Sequence, residues 1–292
     1  MGRIRNFIRN INYLTKHSLW EQREEDIVYL SNKILDDGIY EYNLDIPEYK
    51  RIKICNKEKS LERIIESGKS YVRFSDGEVR LMMGFDQPFQ KYEKELVEQL
   101  MDVLAYPRDN LLVALNRDYY VPGYVIDRNA FLRRNSYDFR RFFQTHCDLD
   151  AEYIDAACTF YPWGDRSKEA YDFWENWKNS FKDRDIVIVC GDHILDKLEY
   201  DVFERAKSKK FIYGPRINAW DEHDRLIEEI KKEDKMKTIV FILGMAGKAM
   251  IPKVSEMGYT AWDIGHLAKS YNAFMTEMPI TDENKSKFFS PD

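Results

Sequence analysis

Six short apolar runs recur along the chain, and each stops at Gly, Asp or Pro. They are "SYVRFSDG" from Ser70, "NLLVAL" from Asn110, "DIVIVCGD" from Asp185, "KKFIYGP" from Lys209, "KTIVFILG" from Lys237 and "YTAWDIGH" from Tyr259. Runs this short and this continuously apolar suit strands covered on both faces, which predicts a mainly parallel sheet. Between them the apolar period lengthens to that of a helix. Residues 92–104 put Leu96, Val97, Leu100 and Leu104 on one side, and 221–232 put Leu226, Ile227 and Ile230 on one side behind Asp221 as a cap. Helices are also predicted at 247–257 and 266–275. Strand and helix in alternation give an α/β, doubly wound layer fold. Residues 116–184 resist assignment. Within them Tyr171, Trp174 and Trp177, with Phe173 between, read as a buried helix face, and Trp163-Gly164-Asp165-Arg166 as a preceding loop within reach of substrate.

Composition narrows the class. The chain has 292 residues, 44% hydrophobic and 14% aromatic, which is enough to build a core and excludes overall disorder. A formal net charge of −6 argues against non-specific coating of nucleic acid, and no nucleic-acid partner is expected. No apolar run approaches the roughly 20 residues that span a bilayer, and Arg5, Asn6, Arg9 and Asn10 interrupt any secretory-signal pattern near the start. Cys55, Cys147, Cys158 and Cys190 form no C-x-x-C pair, so free thiols and a cytoplasmic location are expected. Arg3, Arg5, Arg9 and Lys16 accompany a helical stripe of Ile4, Phe7, Ile8, Ile11 and Leu14. Residues 1–18 therefore read either as an amphipathic helix in peripheral contact with an anionic membrane, or as one packed against protein.

The chemistry-bearing residues gather at the carboxyl ends of the predicted strands, where open parallel sheets bind ligands. Asp76 and Glu78 follow the first run, Gly191-Asp192-His193 the third and Gly214-Pro215-Arg216 the fourth. Gly244 closes the fifth and Asp263-Ile264-Gly265-His266 the sixth. Acids two apart across Gly77 can face one hard cation, Mg²⁺ or Mn²⁺, if glycine permits a sharp path; alternatively Asp-Gly is a solvated turn. Gly244 and Gly247 allow close approach of a phosphate to a helix N-terminus, although the spacing is neither that of a Walker A loop nor of a dinucleotide fingerprint.

"RFSDGE" (73–78), "GPRINAW" (214–220) and "LG…A…GYTAWDIGH" (243–266) occur in an order that resembles the GT-D-type glycosyltransferases, long filed as a bacterial domain of unknown function. The resemblance runs from about residue 60 to residue 275 and implies a Rossmann-like, GT-D-type fold. It also implies a transferase of the hexosyltransferase type, metal-dependent and using a nucleotide-sugar donor, usually UDP-linked, whose D-x-E motif binds the metal. Carried over, Asp76 and Glu78, joined by His266, form the expected catalytic and metal-holding set. Arg73, Gly77, Arg166, Arg216, Asn218 and Gly244 are expected at the nucleotide sugar. Ser75 stands where the family commonly has Gly, and Met245-Ala246-Gly247 where it has a Pro-Thr-Ala type turn.

Glycosyl transfer puts charge on a leaving diphosphate, which a metal or guanidinium groups would share. Asp192, His193, Asp263 and His266 are the candidate bases for an acceptor hydroxyl. The same acids would also serve a phosphoryl or nucleotidyl transferase, or a non-catalytic nucleotide-sugar binding module. The expected division is a helical extension over 1–50, the transferase domain over 51–275 and a tail over 276–292. The expected acceptor is a glycan or glycoconjugate of bacterial surface polysaccharide or glycoprotein assembly.

Overall fold

A computed structural model describes residues 19–46, 49–106, 108–122 and 130–288. The segment 1–18, for which membrane contact was expected, lies outside them. The described chain forms two compact units that differ from the linear division expected: residues 1–49 with 118–141, and residues 50–117 with 142–292. The first unit therefore borrows a segment of the stretch that resisted assignment, and the second includes the presumed tail.

The second unit holds eight strands in one sheet, all parallel: β1 (Lys53–Ile54), β2 (Ser70–Phe74), β3 (Leu111–Leu115), β4 (Glu152–Asp155), β5 (Asp185–Gly191), β6 (Ser208–Gly214), β7 (Thr238–Ile242) and β8 (Thr260–Asp263). The order is β1-β4-β3-β2-β8-β7-β5-β6. β2 and β8 meet in the middle, with Tyr71 opposite Trp262; β3, β4 and β1 continue to one edge and β7, β5 and β6 to the other. That is the doubly wound α/β arrangement, and it opens a crevice at the carboxyl ends of the central strands. The apolar runs are strands because both faces are covered: Ile186 to Cys190 of β5 and Ile239 to Phe241 of β7 are all buried. Edge strand β6 is the exception. Lys209, Lys210, Phe211 and Tyr213 are exposed along it, and no helix lies in the chain between β5 and β6.

The helices include α1 (Leu19–Tyr40), α2 (Lys57–Ser67), α3 (Asp76–Met82), α4 (Lys94–Ala105), α5 (Ala130–His146), α6 (Lys168–Ser180), α7 (His223–Ile230), α8 (Gly244–Glu256), α9 (Leu267–Met275) and α10 (Asp282–Phe288). α6 starts where Ser167 accepts a bond from the Ala170 N–H. Its buried face is Phe173, Trp174 and Trp177. Tyr171, expected to join that face, is 51% exposed and only touches Phe274 edge-on. Asp221 does not cap α7; a 3₁₀ turn over Ala219–Glu222 precedes that helix instead.

In the first unit, α1 leaves Ile27, Val28, Leu30 and Ile34 exposed. Near its end, buried Arg140 bonds Asp36 at 2.6 Å, Asp37 at 2.8 Å, Glu41 at 3.0 Å and the Tyr119 carbonyl at 2.9 Å.

Candidate active site at the carboxyl ends of the central strands

The acid motif begins a helix. Ser75, extended at φ −137°, is the N-cap of α3, and Asp76-Gly77-Glu78 is its first turn. The Ser75 N–H donates to Glu78 Oε2 at 2.8 Å, one half of a capping box. The expected sharp path at Gly77 is thus absent, as is a solvated turn. Glycine serves another purpose there: an added Cβ would lie 3.1 Å from the Met245 methyl of α8. Since Ser75 is extended, the departure from Gly at this position carries no conformational cost.

Behind the acids stands a residue that the sequence reading did not single out. Lys248, one turn into α8 with its side chain 7% exposed, places its ammonium 3.0 Å from Glu78 Oε1 and 3.2 Å from Asp263 Oδ2. Asp263 ends β8 and also binds Arg73: its Oδ2 accepts the Arg73 backbone N–H at 3.1 Å, its Oδ1 accepts Nη2 at 3.3 Å, and its carbonyl accepts Nε at 3.0 Å. Arg73 Nη1 donates to the Ala156 carbonyl and to Thr159 Oγ1. The guanidinium lies so tightly over Gly265 that a Cβ there would meet Nη2 at 1.8 Å, and φ is +47°; only glycine fits. The two cations and two of the acids thus form one buried chain: Glu78, Lys248, Asp263, Arg73. Burial alone would raise the Asp263 pKa, but Arg73 and Lys248 outweigh it and hold the carboxyl below its ordinary range.

Asp76 is different. Its Oδ1 accepts the Ser75 hydroxyl at 3.2 Å, Ser75 is in turn bonded by Asn116 Nδ2, and among the described residues no cation pairs with the carboxylate. Burial, then the charge of Glu78, raises its pKa. His266 sits near the same network but is walled by rings, Phe89 at 6.4 Å and Phe288 at 5.5 Å between centroids. Burial, then Arg73, Lys269 and Lys248, pulls its pKa down to about 3, so the imidazole is neutral.

Among the described residues no three His, Cys, Asp or Glu side chains converge to hold a metal ion, and the expected set of Asp76, Glu78 and His266 is not such a group. Each Glu78 oxygen already accepts a bond, one from Lys248. Asp76 accepts the Ser75 hydroxyl and backbone N–H groups, and among the described residues it has no ion pair. As a resident divalent centre the arrangement does not fit.

The other expected contacts have settings of their own, and Gly244 adjoins Met245, which packs against Gly77. Arg166 stacks its guanidinium 4.3 Å from the Phe274 ring centroid. Arg216 donates to the Asp192 carbonyl at 2.5 Å, at the ends of β5 and β6, while His193 bridges Asp192 at 3.2 Å and Asp196 at 2.6 Å. Asn218 holds the 89–91 loop: its N–H donates to the Phe89 carbonyl at 2.8 Å, and its Oδ1 accepts the Lys91 N–H at 2.9 Å. Gly244 opens α8 in the left-handed region, at φ +56° with free space beside it. In the loop at 163–166 Trp163 is turned into the core, while Gly164 and Arg166 are exposed. Trp163 is buried and stacked on Phe288 at 4.8 Å, and a Cβ at Gly164 would strike Ile280 at 2.4 Å.

The family model of the glycosyltransferase GT-D fold matches residues 71–288, three quarters of the chain and all of this site. The chain belongs to the GT-D glycosyltransferase family. This GT-D chain is 26% identical over 256 residues to the probable glycosyl transferase Gly of Streptococcus gordonii, covering 83% of itself and 36% of that protein. It is 29% identical over 252 residues to the glycosyltransferase GlyD of Streptococcus pneumoniae, covering 82% and 29%. It therefore spans about a third of the length of these curated relatives. Among solved structures, a domain of unknown function 1792 described as having a distinct glycosyltransferase fold superposes with a TM-score of 0.70 at 28% identity, covering 78% of this chain and 83% of the other. A second, from Streptococcus sanguinis, has a TM-score of 0.67 at 23% identity over 78% and 86%, and shares the fold. The GT-D match runs through α10, so the presumed tail is part of the family's domain.

Proposed function

We infer that this chain transfers a sugar from a nucleotide-sugar donor, UDP-linked, to a glycan or glycoconjugate acceptor of bacterial surface polysaccharide or glycoprotein assembly. The observation that carries the reading is the acid pair at the end of β2 lying within the matched GT-D domain, at the crevice where doubly wound sheets bind ligands. In the reaction an acceptor hydroxyl oxygen bonds to the anomeric carbon. The bond from that carbon to the donor's diphosphate oxygen breaks, with its electron pair leaving on the diphosphate, and the hydroxyl proton passes to a base.

Asp76 is the group best suited to take that proton. Among the described residues its carboxylate has no cationic partner, and its raised pKa brings it closer to the working range of a general base. Of the four former candidates, Asp263 is held ionised between two cations, His266 is too weak a base, and Asp192 and His193 are paired with each other beyond β5. The four free cysteines support a reducing, cytoplasmic setting, and no described helix is long and apolar enough to cross a membrane.

Incubation with a panel of UDP-sugars, with free sugar and UDP as the measured products, tests the reading. Turnover of one donor is expected, with Asp76→Asn slowing transfer about 100-fold or more while circular dichroism stays native. Release of phosphate instead of sugar, or no loss in Asp76→Asn, would count against it.

A further inference from the structure

We propose that Lys248, rather than a bound divalent ion, is the counter-ion of Glu78 in the Asp76-Gly77-Glu78 motif, so that the free protein closes this site to metal. The inference takes from the proposed function only the identity of the site; its test needs no donor or acceptor. Three observations carry it. First, Glu78 has no uncommitted oxygen, because Oε2 accepts the Ser75 N–H and Oε1 accepts the Lys248 ammonium. A metal on Oε1 would stand beside a buried positive charge. Second, Lys248 cannot easily withdraw. It is buried, its other partner Asp263 is held in place by Arg73, and it sits one turn inside a helix whose neighbouring residues, Met245 to Ile251, are all buried. Third, the charges of the cluster nearly close without an ion. Asp76, Glu78 and Asp263 face Arg73 and Lys248, leaving one formal negative charge, and that charge belongs to Asp76, which has no cationic partner.

Lys248 is accordingly a positioning residue. It ties the acid motif after β2 to the end of β8 and fixes which oxygens face outward. Because a point cation satisfies Glu78, a Lys-to-Arg change retains the closure, whereas a neutral side chain of similar length frees the Glu78 carboxylate beside Asp76, and two adjacent carboxylates attract a hard divalent ion.

Titration of the full chain with Mn²⁺ alone, following the electron paramagnetic resonance signal of the free aquo ion, decides the matter. Wild type is expected to leave the signal undiminished under conditions where Lys248→Met takes up about one ion per chain, a gain in affinity of at least about tenfold. Lys248→Arg is expected to behave as wild type, and Lys248→Met/Asp76→Asn to lose the gain. Uptake of one Mn²⁺ by wild type that disappears in Asp76→Asn would overturn the proposal, and that measurement stands even if Lys248→Met does not fold. Equal uptake by wild type and a folded Lys248→Met would overturn it too. A chain that turns over a UDP-sugar and also binds free Mn²⁺ would defeat this inference while sparing the proposed function.

Discussion

His266 is a neutral imidazole lodged between two aromatic rings and within the field of three cations. Its pKa of about 3 means that the folded chain refuses a proton which the unfolded chain takes up below about 6.5. Stability is therefore lost as pH falls from about 6.5 toward 3 and recovered as it rises. Asp263 acts in the same direction but lower. Its contribution is present above the unfolded value near 3.9 and vanishes as pH falls through the depressed folded value. Asp76 has the opposite sign: its pKa is raised, so its contribution is greatest below the unfolded value and lost as pH rises through the folded one. Because the histidine window lies highest, we expect His266→Gln to flatten the fall in Tm between about pH 7 and about pH 5, measured by circular dichroism against wild type. An unchanged slope would show that the ring is protonated in the folded chain.

At the scale of elements, the C-terminal helix α10 acts as a strap. Phe288 is buried, stacked on Trp163 and tilted against His266, while Ile280 fills the space that Gly164 leaves. Phe288→Ala removes that anchor. A buried Phe-to-Ala change costs about 3–5 kcal/mol in a core, but a helix of 7 residues can open locally, so the global cost is expected at or below about 3 kcal/mol. Hydrogen exchange should show amides over 282–288 losing protection while β5 and β7 keep theirs. If protection in α10 persists, the anchor lies elsewhere. The acid motif teaches a related lesson. "SDGE" contains Ser75 and Glu78 at capping-box spacing, a signal available in the sequence, yet the adjacent Asp-Gly pair also reads as a turn. Helix packing resolved the ambiguity, because Met245 comes from a segment 168 positions later in the chain.

For the whole molecule, the parallel sheet and its central crevice were legible, because continuous apolar runs have few other uses. What escaped was non-local. β1 is two residues long and β4 only four, too short to stand out in a sequence rich in Arg and Tyr. Lys248 was visible as a lone charge in the apolar stretch "GMAGKAMIP", but its partners come from α3 and β8 and no spacing rule links them. Asn218 and Arg216 carry plausible binding chemistry in sequence and are engaged by backbone groups in the fold. Arg140 likewise read as one arginine among many, yet it gathers three carboxylates in the first unit. Arg140→Met leaves those acids facing one another, and we expect a loss of about 3–5 kcal/mol by urea denaturation. A loss below about 1 kcal/mol would mean that water serves them equally well.

The two margins of the sheet have a consequence beyond catalysis. An outermost strand offers a row of unsatisfied amides and carbonyls to any passing chain, and so invites fibril-like growth. Here β1 is too brief to template a partner, and β6 carries Lys207, Lys209 and Lys210 on or beside it, tethered to Asp185, Asp201 and Glu233 respectively. The uncovered Phe211 and Tyr213 are thereby guarded by charge, which lets the protein keep an open flank without becoming a seed for its own aggregation.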